Sequence, residues 1–109
     1  MKTRKIKNNE AKANIVKLPN KKAIDEFFGN MDKYDGYIIS RFSEAISKGF
    51  ETCEIAQIRY EGSTSVSYIE KDEMLPIARD RFNKAMERKD FDKAARWKVL
   101  IDNMGADDE

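Results

Sequence analysis

The sequence predicts an α+β fold: two N-terminal helices, a β-hairpin and a C-terminal antiparallel helical pair, preceded by a basic flexible N-terminal arm. Apolar residues recur at helical spacing in residues 20–29, in residues 37–48 and again in the last third of the chain. Between these helical segments, residues 53–70 are rich in β-branched and aromatic residues that alternate with polar ones. The first 19 residues hold too few apolar side chains to form a stable element alone.

A chain of 109 residues is expected to form one domain. We assign that domain to residues 20–105, between a basic arm at 1–19 and an acidic tail at 106–109. Residues 1–22 hold eight lysine and arginine residues against a single acidic residue, although the whole chain has a formal net charge of only +1. This asymmetry predicts that the arm meets an anion or the acidic remainder of the chain.

The two N-terminal helices are predicted from their stop and start signals. Asn20 suits the N-cap of the first helix, and Gly29 suits the residue that follows its C-cap. Asp35 and Gly36 have the composition of a turn. The second helix is then expected over residues 37–48, where apolar and polar residues separate onto two faces.

The hairpin is predicted from two alternating segments, residues 53–60 and 64–70, with turn-forming residues at 61–64 between them. Two strands alone are only marginally stable, so the hairpin must pack on helices or gain another strand. The stretch NIVKL, residues 14–18, is the nearest candidate for an added edge strand.

The C-terminal helical pair is predicted from the residues that begin and end its helices. Pro76 is placed in the first turn of the third helix, where its missing N–H has no cost. Asp90 is placed as the N-cap of the fourth helix, and Gly105 ends it. Because only residues 88–90 separate the two helices, they are expected to lie antiparallel and to cover each other's apolar stripe.

The fourth helix is apolar on more than one side. Its apolar residues are Phe91, Ala94, Ala95, Trp97, Leu100, Ile101 and Met104. A helix that is apolar on two sides must bury both of them. One side is expected to face the third helix, and the other faces the second helix with the hairpin, or a second chain. Trp97 can therefore belong to the core or to an interface.

The sequence AMERKDFDKAARWKVLI, residues 85–101, resembles the UVR motif, a small helical hairpin of excinuclease subunits B and C and of clp-system adaptors. The motif reads Asp-Phe-Glu-x-Ala-Ala-x-Leu-Arg-Asp-x-Ile, and the matching or nearly matching residues are Asp90, Phe91, Asp92, Ala94, Ala95, Trp97, Lys98 and Ile101. Trp97 replaces the leucine, Lys98 the arginine and Val99 the second aspartate. The resemblance covers residues 82–104 and implies docking between proteins, since such hairpins pair with a partner hairpin. It implies no catalysis.

Several classes of chemistry are disfavoured by composition. The chain has no histidine, which removes the commonest general base and the commonest metal ligand. Its single cysteine, Cys53, can form neither an intramolecular disulfide nor a cysteine-based zinc site. No glycine-rich phosphate loop is present. We expect no enzymatic activity, no cofactor and no metal site.

The sequence also lacks the apolar runs that membranes require. No run approaches the roughly 18 residues that read as a membrane span. No apolar stretch follows the basic N-terminus as it would in a secretory signal. We therefore expect a soluble, cytoplasmic protein.

These features favour a small non-enzymatic regulator or adaptor that binds another protein, a class that phages and mobile elements encode. The candidate contact residues are Phe91, Trp97, Lys98 and Met104. The alternative is a nucleic-acid-binding accessory protein whose arm contacts phosphates through Lys2, Arg4, Lys5, Lys7 and Lys12. A homo-oligomer is the third alternative.

Overall fold

The computed structural model describes residues 2–5 and 15–105. Its elements are β1 (Lys2–Lys5), β2 (Val16–Leu18), α1 (Lys21–Gly29), a 3₁₀ helix (Met31–Tyr34), α2 (Asp35–Lys48), β3 (Thr52–Tyr60), β4 (Ser63–Glu70), α3 (Lys71–Glu87) and α4 (Phe91–Asn103). The predicted α+β class is confirmed. The acidic tail at 106–109 and most of the basic arm lie outside the described residues.

The chain clusters into two compact units, and each unit combines two stretches that are separate in sequence. The first, here called the sheet unit, combines the described residues up to Tyr34 with Glu54–Ile69. The second, here called the helical unit, combines Asp35–Cys53 with the described residues from Glu70 onward. The assignment of residues 20–105 to a single domain stays a prediction.

The sheet has four strands in the order β1-β4-β3-β2. Strand β1 pairs antiparallel with β4, with Lys2 opposite Tyr68. Strand β2 pairs parallel with β3, with Val16 opposite Ala56. The two N-terminal strands therefore form the two edges of the sheet.

The predicted hairpin is confirmed, and each of its strands begins one residue earlier than expected. Its tight turn is made by Glu61 and Gly62, whose φ angles of 50° and 78° are both positive. Two positive φ values are the pattern of a type I′ turn, which matches the right-handed twist of the flanking strands.

The prediction of a flexible arm over residues 1–19 needs correction, because Lys2–Lys5 and Val16–Leu18 are strands. The hairpin leaves a row of unpaired backbone groups on each outer edge, and a short segment can satisfy them whatever its apolar content. The edge strand suggested for residues 14–18 is present at its last three residues.

Helix α1 begins as predicted, since the Asn20 side-chain oxygen accepts a hydrogen bond from the Ala23 backbone N–H at 2.9 Å. The helix packs against β2 and buries Phe27. The Phe27 ring lies 5.1 Å from the Phe28 ring and 4.6 Å from the Tyr34 ring, measured between centroids. The sheet unit also buries aliphatic residues of its strands. The strand residues are Leu18, Ile55, Ala56, Val66 and Ile69.

The arrangement of the helices differs from the prediction. The helical unit contains three helices rather than a pair, because α4 packs against α2 as well as α3. Contact with the second helix was one of the two alternatives expected for the other apolar side of α4. Residues at the start of α3 and at the end of α4 line the same groove, which shows that these two helices run in opposite directions. The Trp97 ring meets the Phe42 ring of α2 edge-on at 6.1 Å, and both side chains are fully buried.

The break between α3 and α4 combines a helix stop with a helix start. The Asp90 backbone N–H donates to the Ala85 carbonyl at 2.9 Å, and the Lys89 N–H donates to the Met86 carbonyl at 3.0 Å. Lys89 has the left-handed φ of 61° that this type of helix end requires. The Asp90 carboxylate then accepts from the Lys93 backbone N–H at 3.3 Å, which confirms its predicted role as N-cap.

Three details of the helices were predicted wrongly. Gly29 is the last residue of α1 rather than the residue after its C-cap, which is Asn30. Pro76 lies inside α3 rather than in its first turn, because that helix already begins at Lys71 behind a cap at Glu70 and Glu73. Asp35 and Gly36 form the first turn of α2 rather than a free turn. The side chain of Asp35 also belongs to a buried ion-pair network.

That network is centred on Asp35, whose side chain is fully buried. One carboxylate oxygen, Oδ1, accepts from Nε and Nη2 of Arg81 at 3.0 and 2.7 Å. The other, Oδ2, accepts from Nη2 of Arg88 at 3.3 Å. The first residue of α2 is therefore hydrogen-bonded to Arg81, in the middle of α3, and to Arg88, which directly follows α3. Among the described helices, none combines the length and the apolar character needed to cross a membrane.

Candidate functional sites

An open groove of about 830 Å³ lies in the helical unit, where α2 ends, α3 begins and α4 ends. The apolar residues that line it are Ala45, Ile46, Phe50, Met74, Leu75 and Met104. The charged residues that line it are Glu51, Glu70, Lys71 and Asp72. The groove therefore has an apolar surface and a rim in which carboxylates outnumber cations.

The end of α2 positions Phe50 in the groove. Gly49 has a left-handed φ of 68°, and its N–H donates to the Ile46 carbonyl at 3.2 Å. The next N–H, of Phe50, donates back to the Ala45 carbonyl at 2.9 Å. This pair of bonds is a Schellman motif, which fixes the direction in which the chain leaves the helix. Phe50 is held by this turn with 49% of its surface exposed.

The start of α3 supplies most of the negative charge. The carboxylates of Glu70, Asp72 and Glu73 have oxygens within 4.8 Å of one another. Capping accounts for part of this cluster, since Glu73 accepts from the Glu70 backbone N–H at 3.4 Å. Carboxylates are also stabilised here by the positive end of the helix dipole. The Lys71 N–H donates to the Glu51 carbonyl at 2.9 Å, which places a fourth carboxylate-bearing residue beside the cluster.

The predicted partner-binding residues do not lie on one surface. Phe91, at the start of α4, is 60% exposed, and Met104, at its end, lines the groove. These two positions are about 20 Å apart along the helix. Lys98 is exposed and pairs with Asp102 at 2.8 Å on the same helix.

Trp97 needs correction as a contact residue, because its side chain has no exposed surface and cannot reach a partner in this conformation. The residues that cover it include Phe42 of α2. Of the two roles that the sequence left open for Trp97, burial supports the one in the core.

A second cleft, of about 560 Å³, lies in the sheet unit and brings part of the basic arm together with other residues. Arg4 and Lys5 of β1 line it with Lys21 of α1 and Tyr60 of β3. Lys2 lies on the same strand, and its side chain is exposed. The other two predicted phosphate contacts, Lys7 and Lys12, lie outside the described residues.

Sequence reasoning missed several residues of both sites, including Phe50 and Leu75 in the groove and Lys21 and Tyr60 in the cleft. One signal was available for Phe50: an aromatic residue directly follows the helix-ending Gly49 and belongs to no apolar stripe. The other residues carry no local mark, because each site is assembled from separate elements.

No protein-family model, no curated protein and no solved structure matches this chain. The resemblance of residues 82–104 to the UVR hairpin therefore stays a prediction.

Proposed function

We propose that the protein is a small non-enzymatic adaptor or regulator that binds another protein through the groove of the helical unit. The observation that carries this proposal is the half-exposed Phe50 beside other apolar side chains and within a largely acidic rim. Exposed apolar patches rimmed by polar residues mark interaction sites in soluble proteins.

The charge of the rim favours one kind of partner: a basic amphipathic helix. Glu51, Glu70 and Asp72 outnumber Lys71 around the groove, so lysine or arginine residues on the partner gain favourable electrostatic interactions. A groove of about 830 Å³ has room for a few apolar side chains from one face of a helix. Docking of this kind uses anchors at i, i+3 or i+4, and i+7 on the bound helix.

The resemblance to the UVR hairpin supports the same class of function, because such hairpins act by pairing with other proteins. Phe91 offers this second type of contact at the opposite end of α4, where its side chain is 60% exposed. An adaptor needs two separate contact surfaces, and the groove and the Phe91 end of the hairpin are well separated along α4.

The direct test is the binding of a fluorescently labelled leucine–lysine amphipathic peptide, measured by anisotropy. We expect Phe50→Ala to weaken binding by about tenfold or more, because it removes the half-exposed aromatic side chain that lines the groove. Val99→Ala is the control, since Val99 is an apolar residue of the helical unit that is 60% exposed but lies outside the groove.

Charge is tested separately with Glu51→Gln combined with Asp72→Asn. This variant is expected to weaken binding and to reduce its dependence on salt. A leucine–glutamate peptide of equal length should bind far more weakly than the basic peptide. Equal binding of the two peptides, or equal effects of Phe50→Ala and Val99→Ala, would overturn the proposal.

A further inference from the structure

We propose that the cleft of the sheet unit binds single-stranded nucleic acid, with a phosphate held by Lys5 and Lys21 and a base stacked on Tyr60. The site is separate from the groove of the helical unit, so the two proposals stand independently. Four observations support it: the cations of the cleft, its hydroxyl groups, its exposed aromatic ring and its size.

Basic side chains from two elements, β1 and α1, line the cleft. Lys5 of β1 is exposed and makes no ion pair with any described residue. Lys21 of α1 lies 3.4 Å from Asp25, but both side chains are about two-thirds exposed, at 68% and 65%. An ion pair that is this exposed contributes little, and an incoming phosphate can compete for the lysine. Arg4 also lines the cleft, and its guanidinium is paired with the Glu54 carboxylate.

Hydroxyl groups stand beside these cations. Lys5 lies directly opposite Ser65 in the pairing of β1 with β4. Residues that face each other across an antiparallel pair have side chains on the same face of the sheet, within contact distance. Ser63 and Thr3 also line the cleft. A lysine ammonium with adjacent serine and threonine hydroxyls provides the charge and the hydrogen-bond donors that a phosphate requires.

The aromatic surface of the cleft is Tyr60, at the end of β3, which is 45% exposed. Ile58 lies two positions earlier on the same strand and lines the same cleft. Proteins that bind single strands combine a basic surface that follows the backbone with aromatic rings on which bases stack. Tyr60 and the two lysines provide this combination within one cleft.

The size and charge of the sheet unit favour a single strand over a duplex. A cleft of about 560 Å³ accepts a nucleotide rather than a double helix, and stacking on Tyr60 requires a base that is not already paired. The described residues of the sheet unit contain eight lysine and arginine residues against five acidic ones. The surrounding field therefore attracts an anionic polymer.

The test measures the affinity of the full-length protein for a labelled 15-nucleotide single strand and for a duplex of the same sequence. Lys21→Gln is compared with Lys22→Gln, its neighbour on α1, which does not line the cleft. We expect Lys5→Gln and Lys21→Gln to weaken binding and to lower the slope of affinity against salt, while Lys22→Gln changes both much less. The single strand should bind more tightly than the duplex.

Stacking is tested at Tyr60. Tyr60→Ala is expected to weaken single-strand binding by roughly 5-fold to 100-fold, whereas Tyr60→Phe keeps the ring and most of the affinity. All of these side chains are exposed, and circular dichroism checks that each variant is folded. Phe50→Ala, the groove variant, should bind the single strand like the unmodified protein.

Four results would overturn this inference. They are equal affinity for duplex and single strand, no effect of Tyr60→Ala, equal effects of Lys21→Gln and Lys22→Gln, and displacement of the single strand by polyglutamate at equal charge concentration. The last two would show that the basic surface of the sheet unit attracts any polyanion and that the cleft has no part in recognition.

Discussion

Removing the carboxylate of Asp35 is expected to destabilise the helical unit strongly. Asp35 is fully buried and accepts three hydrogen bonds, two from Arg81 and one from Arg88. In Asp35→Ala, Arg81 would keep its charge in a site where its side chain is only 11% exposed, without this counter-ion. Breaking a buried ion pair by removing one partner costs about 3–5 kcal/mol of unfolding free energy. A loss of that size is a large part of the roughly 5–15 kcal/mol available to a small protein.

The structure also predicts an order among the variants. Arg81→Ala should approach the cost of Asp35→Ala, because it leaves the buried carboxylate with only its longer bond to Arg88. Arg88→Ala should cost about 1 kcal/mol or less, because the Arg88 side chain is 36% exposed and makes one contact to Asp35, at 3.3 Å. The double variant Asp35→Leu with Arg81→Met removes both charges and should recover part of the stability lost in either single variant.

Urea unfolding followed by fluorescence provides the measurement. Trp97 is the sole tryptophan of the chain and is fully buried in the helical unit, so its emission reports the loss of this core. A loss below about 1 kcal/mol in Asp35→Ala would refute the reasoning. So would a double variant whose loss equals the sum of the losses in Asp35→Leu alone and Arg81→Met alone, since that would show no coupling between the charges.

Three further outcomes are expected from stability measurements. Trp97→Ala should lower the free energy of unfolding by about 3–5 kcal/mol. Trp97→Phe should lower it less, because the indole N–H donates to no described residue, so no hydrogen bond is lost. Phe91→Ala, at a position 60% exposed, should stay within about 1 kcal/mol of the unmodified protein. Glu61→Asn should raise the melting temperature, with a gain of about 0.5–1 kcal/mol, because asparagine suits the positive φ of 50° at that turn; a lower melting temperature would contradict the turn geometry. Asn20→Ala should cost about 1 kcal/mol in urea unfolding and Asn20→Gly only a few tenths, whereas equal costs would argue against the side-chain cap on Ala23.

The elements that the sequence predicted well are those with local signals. The caps at Asn20 and Asp90 depend on residues three positions away, and the hairpin has alternation over its whole length. Strand β1 has no such signal, because its partner residues lie on the distant strand β4. Strand β2 was suggested by the short apolar stretch at residues 14–18, which is too short to predict a strand by itself. Their strand conformation follows from the open edges of the hairpin rather than from their own composition.

The same difference between local signals and contacts with distant segments explains why the sites were only partly predicted. The apolar pattern of α4 showed that two of its sides must be covered, but the pattern does not say by what, and Phe42 covers Trp97 from α2. Asp35 and Gly36 have the composition of a turn, and the partners of Asp35 come much later in the chain: Arg81 lies in α3, and Arg88 directly follows that helix. Met104 was predicted as a contact residue and lines the groove, while the residues beside it come from two other helices.

The pairing of β1 with β4 has a consequence during synthesis of the protein. Lys2–Lys5 leaves the ribosome well before its partner residues Ser65–Tyr68, because β2, α1, α2 and β3 lie between them in the chain. Closing so long a loop is slow, and the nascent polypeptide must carry this basic strand without its partner until then. The sheet therefore cannot be completed before β4 has emerged, and a pause in translation beyond Glu70 should favour its completion over folding of the C-terminal helices.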